Sequence, residues 1–526
     1  MKKNKYILPL ALAILFLGSC SDDFLDRFPL DRESTETFWL TEADALAAAT
    51  GCYAGWWSDY SVLYFDCASD NAFNPFPWEG YQVQASGVAT PQQTGASFFG
   101  YGNITRFNDF LENISRPTMN EDLRKRLTAE VRFLRAFDYF IKVNLYGDVP
   151  LVTEVLDPSD ANLPRTPRAE VVQFIIDELA AAAADLPVSY SGSDVGRITK
   201  GAALSLKARM ELFDYRFSES AATSSQVMEL GYSLVPEFRE IFYYTNQNNP
   251  EVILDVQYLA NLRSTWVIGV LPPNSSGGWA SINPTQSLVD AFEMINGRPI
   301  DDSESGYDPE DPYNNRDPRL DATIVYPGAW YEGKYFNSID PDDPHGDFYA
   351  PYGRSKTGYN PRKYVDDLSL YPNMWDTGMN SIVIRYAEVL LMYAEAKIES
   401  NSIDQSVYDA INKVRTRAGM PEVDQTIYNN QSTLRELIRR ERRVELALEG
   451  LRWFDIVRWQ IGEEVMPGMV YGARLGSVDP ENGALSLTDT RIEVENRVFD
   501  PAKNYLWPIP QSVIDATPAI DPNPNY

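Results

Sequence analysis

The chain has 526 residues, 75 acidic against 46 basic side chains and one histidine, giving a formal charge of −29. A surface this acidic repels phosphate backbones, which excludes nucleic acid as a partner. The single histidine, His345, excludes a multi-histidine metal centre, so no metal and no cofactor are expected.

Lys2, Lys3 and Lys5 precede an apolar run from Tyr6 to Leu17 that stops at Gly18, Ser19 and Cys20. This is the build of a signal peptide over residues 1–19. The run is shorter than the roughly 18 residues a membrane-spanning helix needs. Leu17 to Cys20 resembles a lipobox, so Cys20 is expected to become an acylated first residue. Several acyl chains hold a protein durably to a membrane where one holds it only marginally. Residues 20–30 then read as a polar tether, with Ser21, Asp22 and Asp23 leading to Phe24, Leu25 and Pro29, and 31–526 as a single domain.

Thr41 is placed to cap a helix running through Ala49. A long helix is predicted from Asn120 to Tyr146, where Leu127, Val131, Leu134, Phe137, Ile141 and Leu145 form one apolar stripe. Glu121 and Asp122 suit its positive end, and Gly147 with Pro150 ends it. Further helices are predicted at 168–186 and 200–217. From 218 to 381 the chain is rich in Pro, Gly, Asn, Asp and aromatics and reads as loops and short strands. A segment this long without regular elements is functional or disordered, and its Trp and Tyr content argues against disorder. Helical periodicity returns from Ile384 to Ile398, from Tyr408 to Ala418 and from Thr433 to Trp459. A C-terminal segment, 461–526, follows. Helical scaffold segments (about 31–217 and 382–460) thus flank a loop-rich region, and consecutive pairs suggest an α-solenoid-like scaffold. No clean 34-residue period is present.

Cys52 and Cys67 are the cysteines left after Cys20, too few for a disulfide framework; they are open to one bridge or two thiols. A Ser-His-Asp triad would have to rest on His345 in the acidic loop 340–347, and is set aside. The basic run Arg439 to Arg458 is interleaved with Glu441, Glu445 and Glu449, which points to ion pairing with neighbouring helices and not to a lipid or nucleic-acid surface.

Several segments carry a resemblance. They are Arg132-Phe133-Leu134-Arg135-Ala136-Phe137, Leu145-Tyr146-Gly147-Asp148-Val149-Pro150-Leu151, Gly196-Arg197-Ile198-Thr199-Lys200-Gly201, Ile384 to Ala396, Ile411 to Gly419 and Arg440 to Asp455. In their order and spacing they resemble the SusD/RagB family over nearly all of the chain after Cys20. That resemblance implies a mainly α fold of tetratricopeptide-like helical pairs, with the irregular middle carrying a glycan site. It implies a surface lipoprotein of the outer membrane that captures oligosaccharide for a SusC-like TonB-dependent transporter without cleaving it. Ser21, Asp22 and Asp23 also resemble the export signal of Bacteroidetes surface lipoproteins. Asp521, before Pro522-Asn523-Pro524, departs from the glutamine the family often carries there, which touches only packing.

A glycan site needs flat apolar faces for sugar C–H surfaces and polar groups for hydroxyls. Two stretches offer both: Asp66, Asp70, Asn71, Asn74, Trp78 and Tyr81; and Trp279, Trp330, Tyr331, Tyr335, Arg354 and Trp375. One ring covering about 100 Å² of sugar contributes roughly 2.5 kcal/mol. Two or three rings, less ordering costs, give dissociation constants from micromolar to millimolar. The competing readings are a surface glycoside hydrolase, whose paired carboxylates would hide among 75 acids, and a helical scaffold that binds only protein or peptide.

Overall fold

The computed structural model describes residues 38–344, 346–349 and 354–526. The expected signal peptide, Cys20, the expected tether 20–30 and His345 lie outside the described residues.

Among the described residues, ten helices have eight residues or more: α1 (Glu42–Cys52), α2 (Gly102–Asn113), α3 (Glu121–Tyr146), α4 (Arg168–Asp185), α5 (Lys200–Phe213), α6 (Phe217–Met228), α7 (Tyr386–Glu399), α8 (Gln405–Arg417), α9 (Gln431–Glu445) and α10 (Arg452–Trp459). From α2 through α8 each packs on the next, and α9 returns onto α7. The fold is mainly α, a tetratricopeptide-like array of helical pairs. Helix α3 is its spine, with Leu127, Val131, Leu134, Phe137 and Leu145 all buried. Asn120 caps it by accepting from the Leu123 amide at 3.0 Å, and Gly147 closes it. Thr41 caps α1 in a capping box with Asp44.

Two expected helices are split. The one predicted over 200–217 ends at Phe213, because Tyr215 takes a left-handed conformation (φ 59°) and the chain restarts as α6. The one predicted over 433–459 breaks between α9 and α10 at Leu448 (φ 61°) and Gly450 (φ 78°). The Gly450 amide donates to Asp66 Oδ2 at 2.6 Å. A Cβ there would sit 2.3 Å from the Val62 carbonyl, so only glycine allows the approach.

Strands β1 (Val252–Val256) and β2 (Ser381–Arg385) pair antiparallel. Ile384, expected to start a helix, lies in β2, and α7 begins two residues later. This pairing closes the base of the irregular middle, so 257–380 is an excursion from one two-stranded ribbon. A hairpin of β3 (Gly468–Val478) and β4 (Leu485–Arg497) occupies the C-terminal segment, which the sequence reading left without strands. Cys52 and Cys67 are separate buried thiols. Asp521 contributes its backbone carbonyl, which accepts from Arg165 Nη1 at 3.1 Å, so its side chain is not what that contact reads.

The middle is fastened to the helices by buried charge. Arg319, Lys363, Arg385, Arg415, Arg417 and Arg440 face Glu251, Glu293, Asp317, Glu441, Glu445 and Glu449, six cations to six carboxylates. Arg385 alone donates to Glu251 Oε1 at 2.8 Å, Glu445 Oε1 at 2.6 Å and both Glu449 oxygens at 2.7 and 2.8 Å. Burial would raise the Glu445 carboxyl, but Arg417, Arg385 and Arg319 outweigh it and hold it well below the usual range. Removing one partner strands the others: Arg385→Met is expected to cost about 3–5 kcal/mol. In urea unfolding its midpoint should fall clearly, while Arg298→Met, at a half-exposed pair with Asp302, should leave the midpoint nearly unchanged. Equal midpoints for the two variants would contradict this account.

Candidate functional site

Three indoles from three segments converge on the rim of the middle region. Trp279 and Trp375 have ring centres 4.5 Å apart at 49°, and Trp266 stands nearly perpendicular to both at 6.5 and 6.3 Å. Trp266 is 46% and Trp279 41% exposed, with Trp375 half-buried. The sequence reading named Trp279 and Trp375 but not Trp266. A lone Trp after Ser264-Thr265 gives no periodic cue; only the bridge between Thr265 and Thr377 brings it beside Trp375.

The backbone beneath is fixed closely. Thr265 and Thr377 exchange amide bonds at 2.9 and 3.3 Å, and the Thr265 hydroxyl donates to Asp59. The Trp279 amide donates to Gly269 O at 2.9 Å, and Ser281 N to Val270 O at 2.9 Å. Trp375 lies against Gly269: a Cβ at that position would be 2.3 Å from its ring. Asp347 accepts from the Ser275 amide and hydroxyl at 3.1 and 2.6 Å, tying the loop under Trp279 to 347–349. Beyond it, Arg354 donates to Phe348 O at 2.9 Å and lies 4.5 Å over that ring.

Two further aromatic points stand apart from this cluster. Trp78, 78% exposed, stacks on Phe76 at 4.9 Å. Its loop is stitched to that of Trp279 through the Phe73–Asn283 pair and through Asn74 Nδ2 donating to Ser281 O at 3.0 Å. Beside it Glu79 accepts from Tyr64 Oη at 3.1 Å and from Asn74, and burial raises its carboxyl. Trp330, 60% exposed, meets Tyr335 edge to face at 5.0 Å across a tight turn at Glu332-Gly333. Tyr331, its neighbour, is buried.

The remaining expected site residues point inward. Asp66, Asp70, Asn71, Asn74 and Tyr81 are buried. Asp66 accepts from Asn71 at 2.7 Å as well as from Gly450, and burial pushes its carboxyl up to about 6 against those bonds. Asp70 is clamped by Arg452 at 2.7 and 2.9 Å and by Arg443 at 2.9 Å. Burial would raise it, but the two guanidiniums hold it at about 2. Tyr81 packs edge-on to Phe65 at 5.7 Å. These five residues are buried in the scaffold, where both aspartates are held by partners from within the chain. The structure therefore brings together Trp279 and Trp375, adds Trp266, and keeps Trp78 and Trp330 as separate exposed points.

Gly269 offers a direct check on the cluster. Gly269→Ala is expected to expel Trp375 and reduce the near-ultraviolet circular dichroism of the stacked indoles while the far-ultraviolet spectrum stays unchanged. An unaltered near-ultraviolet spectrum would show that Trp375 does not depend on this contact.

Residues 245–526 match the sequence profile described as the SusD family, and residues 47–212 match one described as starch-binding associating with outer membrane. A SusD-like carbohydrate-binding protein from Bacteroides fragilis is 33% identical, with a TM-score of 0.84 over 92% of this chain and 100% of that one. A second SusD-like protein of the same organism is 30% identical, with a TM-score of 0.79 over 95% and 100%. A SusD-like protein of Bacteroides ovatus is 27% identical over 487 residues, 87% of this chain and 82% of its own length.

Proposed function

This chain belongs to the SusD/RagB family, and from that premise we propose that it is a glycan-binding protein of the outer-membrane surface that captures oligosaccharide through Trp266, Trp279 and Trp375. The observation that carries the reading is the exposure of Trp266 and Trp279, beside the half-buried Trp375, on a backbone pinned from several sides. Ordering a rigid ring costs little at binding, and its flat face matches the C–H surface of a sugar. The name of the B. fragilis relative, a carbohydrate-binding protein, supports the same reading.

Three indoles meeting at steep angles form a corner and not a flat ribbon. A corner suits a bent or helical glycan over an extended one. Trp78 and Trp330 stand as outlying contacts for longer chains. Binding without cleavage fits a carrier: contacts worth a few kcal/mol allow both capture and release. The receiver in this proposal is a SusC-like TonB-dependent transporter, and the anchor is an acylated Cys20.

Replacing one indole removes roughly 2.5 kcal/mol of sugar contact, so Trp279→Ala and Trp375→Ala are each expected to weaken oligosaccharide binding by one to two orders of magnitude. Affinity electrophoresis over a panel of polysaccharides reads this directly. Retardation that persists in the Trp266→Ala/Trp279→Ala/Trp375→Ala triple variant would refute the assignment, and steady release of reducing ends would refute a non-catalytic role. For the anchor, Cys20→Ala is expected to move the protein from the membrane pellet to the soluble fraction of fractionated cells; continued pelleting would place the anchor elsewhere.

A further inference from the structure

A cavity of about 440 Å³ opens among α7, α9, the end of α10 and the turn between α5 and α6. That volume is typical of small-ligand sites, roughly 300–1,000 Å³. Its walls include Tyr215, Phe217, Arg435, Arg439, Arg458 and Trp459.

The charges there nearly cancel, with one left over. Arg435 donates twice to Glu399, at 2.7 and 2.6 Å. Arg442 and Arg458 are matched by Glu395 and Asp455. Trp459 Nε1 also donates to Glu395, at 2.7 Å. Arg439 has no such match. Among the described residues it makes no hydrogen bond and no ion pair, and its Nε is buried without a partner. Its guanidinium lies 4.9 Å over the Trp459 ring, whose surroundings also hold Arg458 at 4.8 Å. Burial pulls its pKa down despite the nearby Glu395 and Glu399. A half-buried guanidinium with unused donors in a fixed plane is prepared for a bidentate carboxylate.

Next to it stands an exposed ring in a costly conformation. Tyr215 is 55% exposed, and its φ of 59° is unfavourable for an aromatic residue. The turn is held by Tyr215 Oη donating to Arg458 O at 2.8 Å, and the ring leans on Phe217 at 6.0 Å. The cavity thus sets a hydrophobic face beside a single unmatched positive charge.

We propose that this cavity is a second ligand site, for a sugar bearing one carboxylate: the carboxylate on Arg439 and the C–H face of the ring against Tyr215. A monoanion balances the one leftover charge. The site is independent of the Trp266, Trp279 and Trp375 cluster and stands or falls separately from it.

The test titrates the full mature chain with methyl glucuronoside and with methyl glucoside, which differ by the carboxylate, using saturation-transfer nuclear magnetic resonance and calorimetry. The glucuronoside is expected to saturate and the glucoside not. Loss of a charge-assisted pair should weaken binding about tenfold or more in Arg439→Gln. Tyr215→Ala should remove the extra saturation transfer that the glucuronoside ring protons receive over those of the glucoside. Melting curves matching the wild type confirm that the variants are folded. Equal binding of the two glycosides, or undiminished binding by folded Arg439→Gln, overturns the proposal. Displacement of the glucuronoside by acetate or inorganic phosphate at equal concentration would reduce the site to a plain anion site and overturn its assignment to a sugar.

Discussion

The arrangement depends on the closed set of buried charges around Arg385, Glu445 and Glu449. Each of these ions, taken alone into the interior, would cost several kcal/mol, and their attraction offsets that cost only when every partner is in place. The partners come from distant parts of the chain: Glu251 before β1, Glu293, Asp317 and Arg319 in the middle region, Lys363 and Arg385 toward its end, and Glu441, Glu445 and Glu449 on and after α9. Glu445 is reached at once by Arg319, Arg385 and Arg417. A shift of the middle region by one hydrogen-bond length would leave charges unpaired in a low-dielectric interior. The irregular segment therefore has one position on the helices, although it has almost no regular structure of its own.

That fixed position lets the opposite side of the segment expose apolar rings. Loops that present Trp to solvent would ordinarily collapse onto them. Here Trp266 is anchored through Thr265 and Thr377, Trp279 through the carbonyl of Gly269, and Trp375 by the space Gly269 leaves. Charge holds the back of the segment, and backbone bonds hold the front. The pattern repeats at smaller scale at α10, where Arg442 and Arg458 are paired with Asp455 and Glu395 while Trp459 and Tyr215 border open space.

Much of the helical half was legible because its causes are local. Asn120, Glu121 and Gly147 bound α3, and its apolar stripe is the buried one. What was not legible depends on contacts far along the chain. Nothing near Leu448 or Gly450 marks a break, since the break exists to present the Gly450 amide to Asp66, 384 positions away. Asp66, Asp70 and Asn74 lie in an aromatic, amide-rich stretch suited to sugar hydroxyls, and composition cannot reveal that Arg452, 382 positions away, uses Asp70 internally. Trp78 in the same stretch remained outside because Pro75, Phe76 and Pro77 carry it clear of the core. The β3–β4 hairpin has the alternation of a strand pair, as in Leu485-Ser486-Leu487 and Ile492-Glu493-Val494, and was within reach of pattern reading.

The same network bears on which glycans the surface accepts. Six cations and six carboxylates cancel inside, so they contribute nothing to the formal charge of −29, which belongs to the rest of the chain. A polyanionic glycan approaching that exterior meets repulsion over a Debye length of roughly 8–10 Å, whereas a neutral one does not. The proposed binding at the Trp266, Trp279 and Trp375 corner would work through area and shape, which that field leaves untouched. Arg439 differs in the proposed second site, because its half-buried guanidinium lies in a recess, where a single carboxylate would gain more from one adjacent charge than it loses to the distant acidic surface. Under the two proposals, an acidic exterior would favour neutral chains at the exposed rings while leaving one recessed place for a lone negative group.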